Sequence, residues 1–206
     1  MTVSISLFIV LMFSVILHEI AHGYAALRLG DPTARDARRL TLNPISHIDP
    51  IGTLLLPGFL LITGSSFLFG WAKPVPVNPR WFRNPQVGMA IVGFAGPATN
   101  IIIAVLASIV LRLIPPVNPV DPGFLVHVLY YAVLINVVLA TFNMLPIPPL
   151  DGSRVIIPFV PRNVAQVFYQ LEPYGMYIVL GLYFTGILWK IIGPVRAFIT
   201  GILLGF

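Results

Sequence analysis

Cysteine is absent from the 206 residues. That excludes disulfides, thiolate metal sites and a cysteine nucleophile. Charge is scarce as well: 9% of residues are charged, against roughly 25% in an ordinary soluble domain. With 57% hydrophobic residues and a mean hydropathy of +0.93, the chain cannot cover its surface with charge, so its solvent must be largely lipid. No run of lysine or arginine is dense enough to suggest nucleic acid. Only seven acids exist, Glu19, Asp31, Asp36, Asp49, Asp121, Asp151 and Glu172. Any transition metal must therefore be held by these and the four histidines.

Against that apolar background stands His18-Glu19-Ile20-Ala21-His22. Helix positions four apart lie on one face, one turn above each other, so two imidazoles can share one ion. Glu19 points beside that face, where a carboxylate could take a proton from a bound water. This is the H-E-x-x-H arrangement of zinc hydrolases. Ionisable groups at membrane depth are costly and mark functional sites by default.

The composition predicts an all-α polytopic membrane protein with four to six membrane segments, one of them broken or re-entrant, and short surface strands. A single domain over 1–206 is expected, with a core at 3–152 and C-terminal membrane segments within 173–206. Residues 3–29 are long enough to span. They lack a basic leader and a small-residue cleavage site, so they read as a retained helix. Residues 87–113 and 124–145 span as well. Residues 174–189 give a further, tilted span, and 191–206 are apolar but short and broken by Pro194. Residues 51–69 are apolar but carry Pro57-Gly58 at their centre. If they re-enter rather than cross, Asp151 arrives level with the histidines. Nine of the twelve basic residues then share that side, which the positive-inside rule makes cytoplasmic. Arg35, Arg38 and Arg39 read as lipid-headgroup contacts there.

Two histidines leave a tetrahedral zinc needing one more protein ligand and a water. Asp151 is the best third ligand: it follows a spanning helix and a proline break, and Gly152 lets the chain turn closely past a metal. Glu19 is then the general base toward the water and later the acid toward the leaving amine. Asn100 is the leading candidate for holding the scissile carbonyl or its oxyanion; Asn143 could do the same or cap its helix. His47 reads as a turn histidine bonded to backbone, with a role beside the metal or at the cavity mouth as the alternative. His127 reads as structural. The proline-rich segment 73–79 is extended, and Val75 and Val77 there could pair with an unwound substrate as an added strand.

Three ordered motifs, His18-Glu19-Ile20-Ala21-His22-Gly23, Gly96-Pro97-Ala98-Thr99-Asn100, and Asn143 through Leu150-Asp151-Gly152, resemble the site-2 protease family of intramembrane zinc metalloproteases (peptidase M50). The likeness is to the short bacterial or archaeal form without PDZ or CBS domains. It implies zinc on His18, His22 and Asp151, Glu19 as base, and cleavage of membrane-anchored proteins in or near a transmembrane helix. It also implies a plasma-membrane location. Where many relatives carry Asn-Pro-Asp-Gly, this chain has Pro-Leu-Asp-Gly: the aspartate stays. The alternatives are an ion transporter using the same cluster, or a silent relative that only binds membrane partners.

Overall fold

A computed structural model of the chain describes residues 2–55, 59, 62–63, 70–115 and 123–205. Among these, four helices are long and apolar enough to cross a membrane. They are α1 (Thr2–Arg28), α3 (Pro85–Leu113), α4 (Phe124–Asn143) and α8 (Ile187–Leu204). Shorter α-helices among the described residues include α2 (Thr33–Asp36), α5 (Asp151–Ile156), α6 (Arg162–Leu171) and α7 (Gly175–Phe184).

Helices α1, α3 and α4 pack on one another and form the body that carries the site. Their contacts are made by small and β-branched residues. Ala104 and Ala107 of α3 meet Val133 and Val137 of α4, with Ile199 and Leu203 of α8 against them. Without a hydrophobic drive between helices in lipid, close approach of small side chains is what holds such interfaces. Large side chains such as Phe8, Ile102 and Phe198 remain exposed on the outer faces, as a lipid-facing surface requires.

Contacts along α1 and α3 run in opposite order. His22 meets Val92, His18 meets Gly96 and Asn100, and Ser14 meets Asn100. The helices are therefore antiparallel, and the chain between Leu29 and Pro85 starts and ends on one side. The break at Pro57-Gly58, and with it the choice between dipping and crossing, lies outside the described residues.

Two sequence expectations are corrected. No strand occurs among the described residues. Residues 71–78 are extended, but tertiary bonds hold them instead of a ladder. Trp71 N–H donates to the Gly52 carbonyl (3.1 Å) and Lys73 N–H to that of His47 (2.9 Å). Pro74 and Pro76 have no N–H to give a partner strand. The C-terminal break also falls elsewhere. It is at Gly186, whose φ of +73° ends α7 and starts α8, whereas Pro194 sits inside α8. Freed backbone groups can be satisfied locally around a membrane proline, but a left-handed residue stops a helix outright.

Asp31 is a fold-holding acid that the sequence reading left without a role. It is fully buried. One carboxylate oxygen accepts the N–H and the hydroxyl of Thr33, and the other accepts Asn78 N–H at 2.7 Å. It thereby ties the turn after α1 to the end of the extended segment. Asp31→Ala strands those donors, at about 1–3 kcal/mol for each one left buried. It is expected to lower the detergent-solubilised melting temperature and to open the segment to protease; an unchanged melt and digest would rule this out.

Candidate metal centre

Each imidazole is held from behind. His22 Nδ1 lies 2.7 Å from the Val92 carbonyl. A carbonyl only accepts, so Nδ1 carries the proton and Nε2 keeps its lone pair. Val92 lies one residue before Gly93, whose carbonyl Pro97 leaves without its helical donor. His18 Nδ1 lies 2.6 Å from Asn100 Oδ1. The two Nε2 atoms face each other at 2.9 Å, and Asp151 Oδ2 lies 3.1 Å from one and 3.3 Å from the other.

These separations test whether a metal fits. Ligand atoms about 2.0–2.1 Å from a tetrahedral zinc stand about 3.3 Å apart. The three observed edges are close to that. Three acceptor atoms converging without a shared proton repel one another, and Asp151 Oδ2 is buried with no hydrogen-bond partner. A cation is the group that relieves both. The donor set, two neutral imidazoles and a carboxylate, suits zinc.

Packing leaves no slack. A Cβ on Gly96 would lie 2.6 Å from His18 Cε1 and Nε2 and from His22 Cε1. On Gly152 it would lie 2.2 Å from the Met144 carbonyl oxygen. So the small residue in the α3 motif admits the imidazoles, and the glycine after Asp151 lets α5 close onto the end of α4.

Glu19 belongs to the same cluster: one ligand atom each of His18, Glu19 and His22 lies within 4.8 Å of the others. Its Oε2 accepts Val75 N–H at 2.8 Å. Among the described residues its Oε1 has no hydrogen-bond partner, which leaves that oxygen for a proton. Val75 itself is buried, and Val77 is half-buried.

The remaining residues sit differently from expectation. Asn100 is fully buried behind His18 with both ends of its amide committed, Oδ1 to His18 and Nδ2 to Asn136 Oδ1 at 2.7 Å. It is not free to hold a scissile carbonyl, and that reading is withdrawn. Asn143 Nδ2 donates back to the Leu139 carbonyl (3.0 Å) in the last turn of α4. His47 is buried in its turn, Nε2 donating to the Thr41 carbonyl at 2.8 Å. Half-buried His127 bonds the Gly123 carbonyl. Arg39 is no headgroup contact: it is buried and donates to the Lys73 carbonyl at 2.6 Å. Asn136 and Ser14 stand behind Asn100 and were missed; an amide within an apolar span is the signal that could have found the first.

Comparison with known proteins agrees with this geometry. The model of peptidase family M50 matches residues 117–185, the part that contains Asp151. The chain is 38% identical over 203 residues to "Putative zinc metalloprotease YwhC" of Bacillus subtilis, covering 92% of this chain and 87% of that one. It is 30% identical over 174 residues to "Putative zinc metalloprotease Rip2" of Mycolicibacterium smegmatis, covering 84% of this chain and 64% of the relative. It is also 30% identical over 151 residues to "Zinc metalloprotease MJ0392" of Methanocaldococcus jannaschii, covering 73% and 33% respectively. No solved structure matches. Together with four membrane-length helices, these likenesses establish that the chain belongs to peptidase family M50, the site-2 protease family, and is a membrane zinc metalloprotease.

Proposed function

We propose that the chain is an intramembrane endopeptidase that hydrolyses peptide bonds in or near transmembrane segments of membrane-anchored proteins. One observation carries this reading: the converging histidines lie on a spanning helix, His22 and His18 six and ten residues before its end at Arg28. At 1.5 Å per residue that is about 9 and 15 Å along the helix axis. A bond reaching this site from a membrane-anchored partner comes from the partner's membrane-embedded or juxtamembrane part.

His18, His22 and Asp151 would hold the zinc, which when bound acidifies its water toward neutrality and polarises the carbonyl under attack. Glu19 accepts the proton of the attacking water at its carboxylate and returns it to the departing amine nitrogen. The amide of Val75 keeps the Glu19 side chain directed into the site. Segment 73–79 is the proposed docking edge for the substrate. Val77 N–H has no partner among the described residues, and a helical substrate must unwind before its peptide bond is reachable. The lysine and arginine bias supports an active side facing the cytoplasm of a bacterial or archaeal plasma membrane.

Detergent-purified protein should cleave a membrane-anchored reporter, stop after chelation and resume on zinc addition. Mass spectrometry should map the cut within or beside the reporter's membrane segment. Cleavage confined to soluble loops, or insensitive to chelation, would refute the proposal.

A further inference from the structure

Behind His18 runs a line of polar side chains that crosses three spanning helices. Ser14 of α1, Asn100 of α3 and Asn136 of α4 are buried, the two amides completely. Unpaired amides at this depth would cost several kcal/mol each, so the direction of every bond in the line matters.

The direction can be read from one end. Asn136 Nδ2 lies 2.8 Å from the Ala132 carbonyl and 2.8 Å from Ser14 Oγ. A main-chain carbonyl can only accept, which fixes the Asn136 amide with its nitrogen toward Ala132. Its Oδ1 therefore faces Asn100 and takes the Nδ2–H at 2.7 Å. Asn100 Nδ2 also points toward the Ser14 carbonyl, at 3.5 Å, in the same sense. Only Oδ1 of Asn100 is then left for His18, and it too can only accept. His18 must donate from Nδ1, so the lone pair stays on Nε2, which faces His22 and Asp151.

From this line we infer that Asn136 is a positioning residue: through Asn100 it selects the tautomer and ring orientation of His18. It touches neither the ligand atoms nor a substrate. The inference rests on the metal-centre reading above. Partners behind a ligating imidazole fix its tautomer and tune affinity by about 10- to 100-fold. Without Asn136 only the long 3.5 Å contact with the Ser14 carbonyl still opposes turning the Asn100 nitrogen toward His18, which weakens the constraint.

The test compares backgrounds by zinc affinity, measured by chelator competition on purified protein, and by the visible spectrum of the cobalt-loaded form. In wild type, Asn136→Leu is expected to weaken zinc about 10- to 100-fold and to shift the cobalt bands. In an Asn100→Asp background the same substitution is expected to cost less than about threefold and leave the bands in place. A carboxylate accepts from His18 whichever way it turns, so it no longer needs Asn136. Asn136→Ala replaces the leucine variant if the latter does not fold. An equal loss in both backgrounds means Asn136 acts by packing alone and overturns the inference; so does unchanged affinity in the wild-type background. If wild type holds no zinc at all, the metal-centre reading fails first and takes this one with it.

Discussion

Glu19→Gln is expected to keep its zinc and to cut reporter cleavage about 10²- to 10⁴-fold, the range for losing a positioned general base. The two halves of that expectation come from separate observations. The carboxylate is not one of the three atoms that converge at 2.9–3.3 Å, so metal retention does not depend on it. Its place beside them, with Oε2 held by the Val75 amide, is what proton transfer needs. Glutamine matches it in shape and can still accept Val75 N–H through its amide oxygen, but it cannot take a proton at neutral pH. Metal content and cleavage measured on the same preparation decide the matter. A glutamine variant that cleaves at the wild-type rate would remove Glu19 from the chemistry, and one that loses zinc would make it a ligand.

Gly96→Ala should do the opposite and empty the site. One added carbon would stand 2.6 Å from atoms of both imidazoles, far inside van der Waals contact. The rings cannot retreat, because their Nδ1 atoms already lie 2.6 and 2.7 Å from Asn100 and the Val92 carbonyl. Either α1 and α3 move apart or a histidine turns away. Zinc affinity is expected to fall by at least the 10- to 100-fold that follows loss of support behind a ligating imidazole, and cleavage with it. Gly193→Ala in α8, where a Cβ would meet nothing within 4 Å, is the matched control and should change neither. If Gly96→Ala binds zinc like wild type, the two helices do not meet as closely as described.

How much of this was legible in the chain depends on the kind of information each feature requires. The pairing of His18 with His22 follows from helical spacing alone. Asp151 was reachable because acids are so few that elimination does most of the selection. That α1 and α3 run antiparallel was only conditional in the chain, since residues 51–69 could be read as crossing or as re-entering. Asn100 was expected to hold a scissile carbonyl, whereas the structure places it behind His18 with both ends of its amide taken. A sequence gives an amide's identity and not which end of it faces inward, and that orientation is set by the Ala132 carbonyl on another helix. The extended segment at 73–79 was recognisable from its prolines. Its anchors on Glu19, Arg39 and Asp31 were not, because they join positions more than thirty residues apart. The C-terminal boundary was misplaced because Pro194 was read as the break and Gly186 was passed over.

The facing columns on α1 and α3 also bear on redesign. Ser14, His18 and His22 repeat every four residues, and so do Val92, Gly96 and Asn100 opposite them. The imidazole half of the centre is thus written in two nine-residue blocks, 14–22 and 92–100, completed by one amide on a third helix. A graft onto another helical scaffold has little to transplant beyond those blocks and a carboxylate loop. It has one alignment to respect, since an axial slip of a single turn would seat a hydroxyl in the berth meant for an imidazole.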